Sequence, residues 1–567
     1  MASCKLTFSI VVLATVVSSS PLWDTLNSSV HGRLISVVPF GRPCFSLANG
    51  TGGAFNPQRC SEVIANYRDG AQRSDTVGAY INTQWETCQT TSGQCLLDSN
   101  NPNNSMAFTP PRTCDQGSVP EFAIDVRTAD DITSGFSFAE SHGIPIVIKS
   151  SGHDYKGRSG GPGSLALWMH NLQSVVYSAS FVPAGCPSNE TFSAVTHGAG
   201  VTFSKLIDFA DQHNITIPTG GDLSIAAGGG YLQGGGHSIL SNTVGLAVDR
   251  ALQFEIVTPD GRHLLANECQ NTDLFFALRG GGGGTFGAVL AVSTLALPRL
   301  SINGISISFE PTRSNQVKFL QFIANHSVAF SENGWGGYIT PLTGAVFGNP
   351  ILDSTRAERS LLDLRRLVVN DLGGNFTFVA NLTYKSFFTS FVGDVPIGTP
   401  FAGASRLIPV DHFATASRRA KLVTVITDML DVVQLPIIFA TTPFFYGDRG
   451  GTSINPVWRS SLWHVVINAF WNFNTSVDSV KANYAQLSSA IDPLRCITPE
   501  SGAYSNECDV YEPNFANSFW GIHYNELVRI KRKYDPRHLL DCWQCIDWLG
   551  KDDARYRCYF DAPTPGF

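Results

Sequence analysis

The sequence predicts an α+β fold in two domains, and three observations carry that prediction. The chain has 567 residues, more than one hydrophobic core ordinarily serves. Between residues 120 and 149 a strand pattern, a helix pattern and a second strand pattern follow one another. Three glycine clusters then interrupt apolar segments as far as residue 287, and beyond Pro298 the glycine runs stop.

The first of these patterns lies in "EFAIDVRTADDITSGFSFAESHGIPIVIK". Phe122, Ile124 and Val126 alternate as in a strand. Thr128 can cap a helix with Asp131 at its third position, and Ile132, Phe136 and Ala139 recur with helical period. Gly143 stops that helix and "IPIVIK" supplies the next strand, which makes a βαβ unit. A similar succession follows, with "AVTHGAGV" as strand and turn, "TFSKLIDFADQH" as a helix opened by Thr202, and "ITIP" as a short strand. "ALQFEIVTPDGRHLL" reads as a hairpin turning at Asp260-Gly261, with Leu252, Phe254 and Ile256 on one face.

On these grounds residues 116–298 form one glycine-punctuated α+β domain and residues 299–512 a second, in which "SINGISISFE" and "TRAERSLLDLRRLVV" mix strand and helix texture. Residues 21–115, rich in Gly, Asn, Ser and Cys, look like a stapled extension laid over something more regular. Residues 513–567 are a tail containing an amphipathic helix, broken at Asp535-Pro536, with Trp520, Tyr524, Leu527 and Ile530 on one side. Residues 1–20 place Lys5 before an apolar run and then small residues, the pattern of a secretory signal peptide. A short N-terminal membrane anchor is the alternative, but no stop-transfer pattern follows it. No later stretch is long and apolar enough to cross a membrane.

Composition narrows the partner. With 15% charged residues and a net charge of -7, there is no basic patch to suggest nucleic acid, so the ligand is sought in a pocket. Once Cys4 leaves with the leader, an even number of cysteines remains, as expected of disulfides in an oxidising compartment. Cys542-Trp-Gln-Cys545 could be a redox pair, but in such a chain a structural bridge is the better expectation. Nine Asn-x-Ser/Thr sites, at residues 27, 49, 103, 189, 214, 325, 375, 381 and 474, offer positions for N-glycans.

The glycine clusters are "GRSGGPG", "GGGYLQGGGHS" and "RGGGGGTFG". Glycine lets a backbone approach a ligand and turn successive N–H groups toward one anion, so a diphosphate is the natural occupant. A nicotinamide-binding fingerprint fails: "GAGVTF" has Phe203 where the third glycine belongs. No metal-binding spacing is read. His153 follows a strand and precedes Gly157, so its imidazole falls where the chain bends toward a ligand.

The run Gly152-His153-Asp154-Tyr155-Lys156-Gly157-Arg158-Ser159, with "GGGHSILSNTVGLAVD" and the terminal "YDP", resembles the FAD-linked oxidases of the vanillyl-alcohol oxidase superfamily. Within it the chain is most similar to the berberine-bridge-enzyme-like branch, especially its secreted fungal members. The resemblance covers residues 115–300 and the tail from 518 to 550, and the middle domain only loosely. It implies a PCMH-type FAD-binding domain of two α+β subdomains, a second α+β domain roofing the flavin ring, and a tail that returns to the FAD domain. It implies a bond from His153 to the flavin 8α-methyl carbon, with further FAD contacts at Gly152, Asp154, Gly157 and Ser159. Gly228, Gly229, Gly230, Gly235 and Ile256 complete that expected FAD-binding set. Many members hold FAD by a second, cysteinyl bond, but "TGGDLSIAAGGG" has Leu223 near that position, flanked by Asp222 and Ser224, so a single link is expected. His523 stands where the branch often has asparagine near the flavin.

The chemistry implied is hydride transfer from a small-molecule alcohol or related substrate to flavin N5, then reoxidation by molecular oxygen to hydrogen peroxide. His464 and Tyr524 are the candidate bases, each with an alternative as a packed core residue, and His237 is expected to be structural or a neighbour of the diphosphate. Two rivals remain at this level: a flavin dehydrogenase with another acceptor, and a secreted binding glycoprotein that has lost turnover.

Overall fold

The computed structural model describes residues 21–53, 55–392 and 397–561. The expected leader, residues 1–20, lies outside them.

The βαβ unit forms as the residues dictate. The helix Ala129–His142 opens at Thr128, whose backbone N–H donates to Asp131 Oδ2 over 3.0 Å, and it ends at Gly143 with φ +63°. Its strands, Phe122–Asp125 and Ile146–Lys149, are parallel but not adjacent. Leu165–Trp168 lies between them, paired in parallel with both. That strand is apolar and buried at every position, so no alternation announces it. Leu34–Ser36 adds an antiparallel fourth strand, and Ile132, Phe136 and Ala139 pack on Ile124, Ile146 and Leu167.

The second subdomain is an antiparallel sheet in the order His263–Asn267, Ala251–Val257, Ala288–Leu295, Phe192–Gly198, Val175–Phe181. The hairpin around Asp260-Gly261 is its edge. The succession after Phe192 does not make a second βαβ unit: Phe192–Gly198 joins this sheet, whereas Ile215–Thr216 leaves it to pair with Leu297–Pro298. Its helix, Phe203–Gln212, opens at Thr202 as expected.

Residues 302–470 build a seven-stranded antiparallel sheet in the order Asn375–Leu382, Ile302–Ser308, Gly344–Asn349, Gly336–Thr340, Ile437–Ala440, Ser461–Phe470, Phe401–Pro409. The period of two along its strands sorts the faces. Ile339, Ile438, Val465 and Ile467 point into a core shared with the helices Arg313–Glu332, Ala416–Met429 and Val477–Ile497. Tyr338, Ile437, Phe439, Asn468 and Phe470 point the other way, over the two smaller sheets.

The tail then returns. Gly521, with φ +55°, breaks it into Phe515–Trp520 and Tyr524–Tyr534, so Trp520 and Tyr524 sit on different helices rather than one. Trp520, Leu527, Ile530 and Tyr534 nonetheless share one core with Phe254, Phe275 and Phe286. Lys531, fully buried, donates to the Thr285 carbonyl at 2.7 Å, the Leu540 carbonyl at 2.8 Å and Asp535 at 2.5 Å. That cation, satisfied on all three sides, pins the "YDP" turn to the third glycine cluster.

The stapled extension is more regular than its composition suggests. It holds helices at Pro21–Ser29, Pro57–Ala65 and Gly70–Ser74, each too short to show a period. Disulfides join Cys44–Cys60, Cys95–Cys114, Cys186–Cys269 and Cys542–Cys545, and Cys88–Cys558 ties the extension to the end of the tail. Cys542-Cys545 is thus bridged, while Cys496 and the buried Cys508 are unpaired. Among the described residues no helix is long and apolar enough to cross a membrane.

Candidate active site

A cavity of about 630 Å³ lies between the two smaller sheets and the seven-stranded sheet. Its floor is the loop that follows Ile146–Lys149. Gly152, His153, Asp154 and Ser159 line it, together with Gly229 and Gly230 of the second glycine cluster and Gly283, Gly284 and Gly287 of the third.

The His153 loop is held from the N-terminal extension. Asn82 Nδ2 donates to the carbonyls of His153 and Asp154 at 2.9 and 3.1 Å, Trp85 Nε1 to that of Tyr155 at 3.0 Å, and Tyr80 Oη to that of Ser159 at 3.0 Å. From within, Asp154 accepts from the Arg158 backbone N–H at 2.6 Å and from Arg158 Nε at 2.7 Å. Gly157 has φ +78°, and a Cβ there would stand 2.4 Å from the Trp85 ring. Gly157 therefore shapes the loop from behind and does not face the cavity.

His153 Nε2 lies 2.7 Å from Ser224 Oγ, and Ser224 Oγ donates to Asp222 Oδ1 over 2.7 Å. Burial lowers the His153 pKa, and the Asp222 charge only partly opposes it, which favours the neutral imidazole. Leu223, between them, packs against the apolar residues of a neighbouring core.

The opposite wall carries an acidic group. Glu507 lines the cavity, with Oε1 3.1 Å from His237 Nε2 and Oε2 2.8 Å from His464 Nε2. Thr441 Oγ1 is 2.9 Å from His237 Nδ1. Burial works against ionisation of Glu507, but attraction to His237 and the bonds from both imidazoles outweigh it and hold the carboxyl well below its usual range. Burial lowers the His464 pKa, with Glu507 opposing. The three donor atoms lie within 4.8 Å of one another, a spacing that a metal could also use. Both imidazole–carboxylate distances are hydrogen-bond distances, so the cluster is closed on itself.

The residues expected from sequence divide accordingly. His464 is fully buried behind Glu507 and does not line the cavity; strand alternation puts it on the same face of the roof sheet as Asn468 and Phe470, but Glu507 comes between it and the cavity. Tyr524 is not brought to the cavity either: its ring packs on Trp520 and Phe515 at 5.7 and 6.2 Å between centroids. Ile256, fully buried, belongs to the core beneath the hairpin. Gly228 packs against Val292 and Ala199, and Gly235 against Tyr504 and Ile454, so both shape the second glycine cluster from outside the cavity. His523 stacks edge-on against Phe276, away from the site. His237 lines the cavity as a partner of Glu507.

The residues present fit FAD. Gly283 passes Gly230 so closely that a Cβ on it would stand 2.7 Å from the Gly230 Cα, leaving main-chain N–H groups rather than side chains along that wall. Ser159 Oγ and Gln233 Oε1, both lining the cavity, are buried without a hydrogen-bond partner among the described residues, as expected of groups that a polar ligand completes.

Comparison with known proteins agrees. A model described as "FAD binding domain" matches residues 120–267, and one described as "Berberine and berberine like" matches residues 503–546. The FAD-linked oxidoreductase ffsJ of Aspergillus flavipes is 35% identical over 93% of this chain and 92% of its own. The chain belongs to the berberine-bridge-enzyme-like FAD-linked oxidoreductases. This oxidoreductase is also 36% identical to the FAD-linked oxidoreductase cheF of Chaetomium globosum, over 94% and 86% of the two chains. Its fold matches the crystal structure of a VAO-type flavoprotein from Myceliophthora thermophila with a TM-score of 0.82 at 26% identity, covering 94% and 96% of the chains. A glucooligosaccharide oxidase from Acremonium strictum, whose description names a 6-S-cysteinyl, 8α-N1-histidyl FAD, shares the fold at 18% identity and a TM-score of 0.62, over 76% and 92%.

The oxidoreductase's Glu507 was missed in the sequence. It stands in "AYSNECD", where an acidic residue has no period or spacing to mark it. Only its neighbours, Tyr504 and Asn506, which also line the cavity, hint that the segment is a wall.

Proposed function

We propose that the protein is a secreted oxidase, tethered to FAD through His153 alone, that oxidises the carbon bearing a hydroxyl or a similar group in a small organic substrate. The observation that carries this reading is that one cavity holds His153 at one wall and the ionised Glu507, bonded to two imidazoles, at another. Bound FAD would supply the two-electron acceptor for a hydride from the substrate carbon, with molecular oxygen as the final oxidant. Glu507 accepts the hydroxyl proton, and the His237 and His464 N–H groups keep its carboxylate fixed. Ser159 and Gln233, with the main-chain N–H groups of the second and third glycine clusters, hold the cofactor. Tyr338, Phe401, Phe439 and Phe470 favour an apolar or aromatic substrate and exclude water. The five disulfides among the described residues and the sequons suit an oxidising, glycan-adding route.

Acid precipitation of the purified protein tests the tether. A yellow pellet with flavin on the peptide containing His153 is expected, and free flavin in the supernatant would overturn the covalent link. Peroxide release on adding benzylic or allylic alcohols tests the oxidase reading. Flavin bleaching without peroxide would favour a dehydrogenase instead.

A further inference from the structure

We propose that Ser224 and Asp222 are positioning residues that set the His153 tautomer and carry off its proton as the flavin bond forms. This rests on the covalent tether proposed above. Ser224 has one hydroxyl hydrogen, and its geometry commits that hydrogen to Asp222 Oδ1 at 2.7 Å. The Ser224 oxygen must then accept from His153 Nε2, 2.7 Å away. Nε2 therefore carries the imidazole proton and Nδ1 keeps its lone pair; no hydrogen bond reaches Nδ1 among the described residues. The tautomer follows from counting donors.

Forming the tether joins Nδ1 to the flavin 8α-methyl carbon. The carbon loses one hydrogen as a proton, the imidazole loses its Nε2 proton, and the electron pair of the broken carbon–hydrogen bond passes to the isoalloxazine ring. Molecular oxygen then takes the two electrons and two protons as hydrogen peroxide. The Nε2 proton needs an exit. Asp222 lines both the cavity and an open cleft on the outer surface that Lys205, Asp208 and Arg68 share, so a proton received there reaches solvent.

The pair is also held from behind. Asp222 Oδ1 accepts from the Ser224 backbone N–H at 2.9 Å, and Ser74 Oγ donates to the Ser224 carbonyl at 3.2 Å. Gly70 leaves the room the hydroxyl occupies, since a Cβ there would lie 2.7 Å from Ser224 Oγ. The stretch in which related oxidases attach FAD a second time here serves the histidine that attaches it once.

The test uses full-length wild type and the variants Asp222→Asn, Ser224→Ala and Ser224→Thr, each incubated with excess FAD under air. The readouts are peptide-bound and acid-extractable flavin over time at several pH values. Asp222→Asn and Ser224→Ala should bind FAD but form the bond on the order of 10²-fold more slowly, most markedly at low pH, and Ser224→Thr, which keeps the hydroxyl, should restore the rate. Bond formation at wild-type rate in both, or loss of bound and extractable flavin alike, would overturn the proton path. Wild type carrying only extractable flavin would sink the tether itself, a separate result.

Discussion

Glu507 Oε2 lies 2.8 Å from His464 Nε2, which joins a residue of the returning chain to one on the roof strand Ser461–Phe470. With His237 on the other oxygen, the carboxylate has both its oxygens occupied by imidazole donors and is held in one orientation over the cavity. A side chain so fixed needs no reorganisation when a substrate hydroxyl arrives.

Glu507→Gln keeps the shape and removes the charge. The rate of flavin reduction by substrate should fall by about 10²–10⁴-fold, while bound flavin stays at the wild-type level. Anaerobic mixing with substrate, followed by flavin absorbance, measures it. A rate within tenfold of wild type would remove Glu507 from the reaction.

The same bonds set a pH dependence. Because the carboxyl is held below its usual range, flavin reduction should stay level as pH falls through the ordinary carboxylate range. His464→Leu deletes one of the two donors, so the Glu507 pKa should rise and bring an acid fall-off into that range. Profiles that coincide for the two proteins would show that His464 does not govern the carboxylate.

How much of this was legible in the sequence depends on whether a residue's role is local. The helix Ala129–His142, its cap at Thr128 and the hairpin at Asp260-Gly261 depend on neighbours a few residues away, and the sequence shows them. Leu165–Trp168 was hidden because a strand covered on both faces has no alternation. His153 was visible because its whole loop is contiguous, from Gly152 to Ser159. Glu507 was not, because its partners lie 270 and 43 residues away and meet it only after the roof closes. Tyr524 looked eligible for the opposite reason: a local amphipathic pattern fits a buried core face as well as a cavity wall.

His197 predicts an acid limb of stability. Burial lowers its pKa from 6.5 to about 4. The unfolded chain therefore binds a proton between pH 6.5 and 4 that the folded chain refuses. Stability from the neutral, buried ring is full above pH 6.5 and is lost progressively as pH falls toward 4, by about 3 kcal/mol in all. His197→Gln does not titrate, so its denaturant midpoint should fall less over this window than that of wild type. Parallel losses in the two proteins would exclude His197 as the source.

Gly157 and Gly143 both hold positive φ, yet they should respond differently to alanine. At Gly143, φ is +63° and nothing lies within 4 Å of a new Cβ, so the cost is the backbone alone, about 1 kcal/mol. At Gly157 the Cβ would meet the Trp85 ring at 2.4 Å, and that ring cannot retreat freely: it is buried, bonded to the Tyr155 carbonyl and packed on Tyr559 at 5.0 Å. Overpacking adds about 1–3 kcal/mol and pushes on the loop that carries His153. Gly157→Ala should therefore lower both the thermal midpoint and the fraction of peptide-bound flavin, whereas Gly143→Ala should lower the midpoint slightly and leave the flavin fraction unchanged. Thermal melts and acid-precipitated flavin on the two variants check this. Equal effects on both readouts would show that Trp85 does not position the histidine loop.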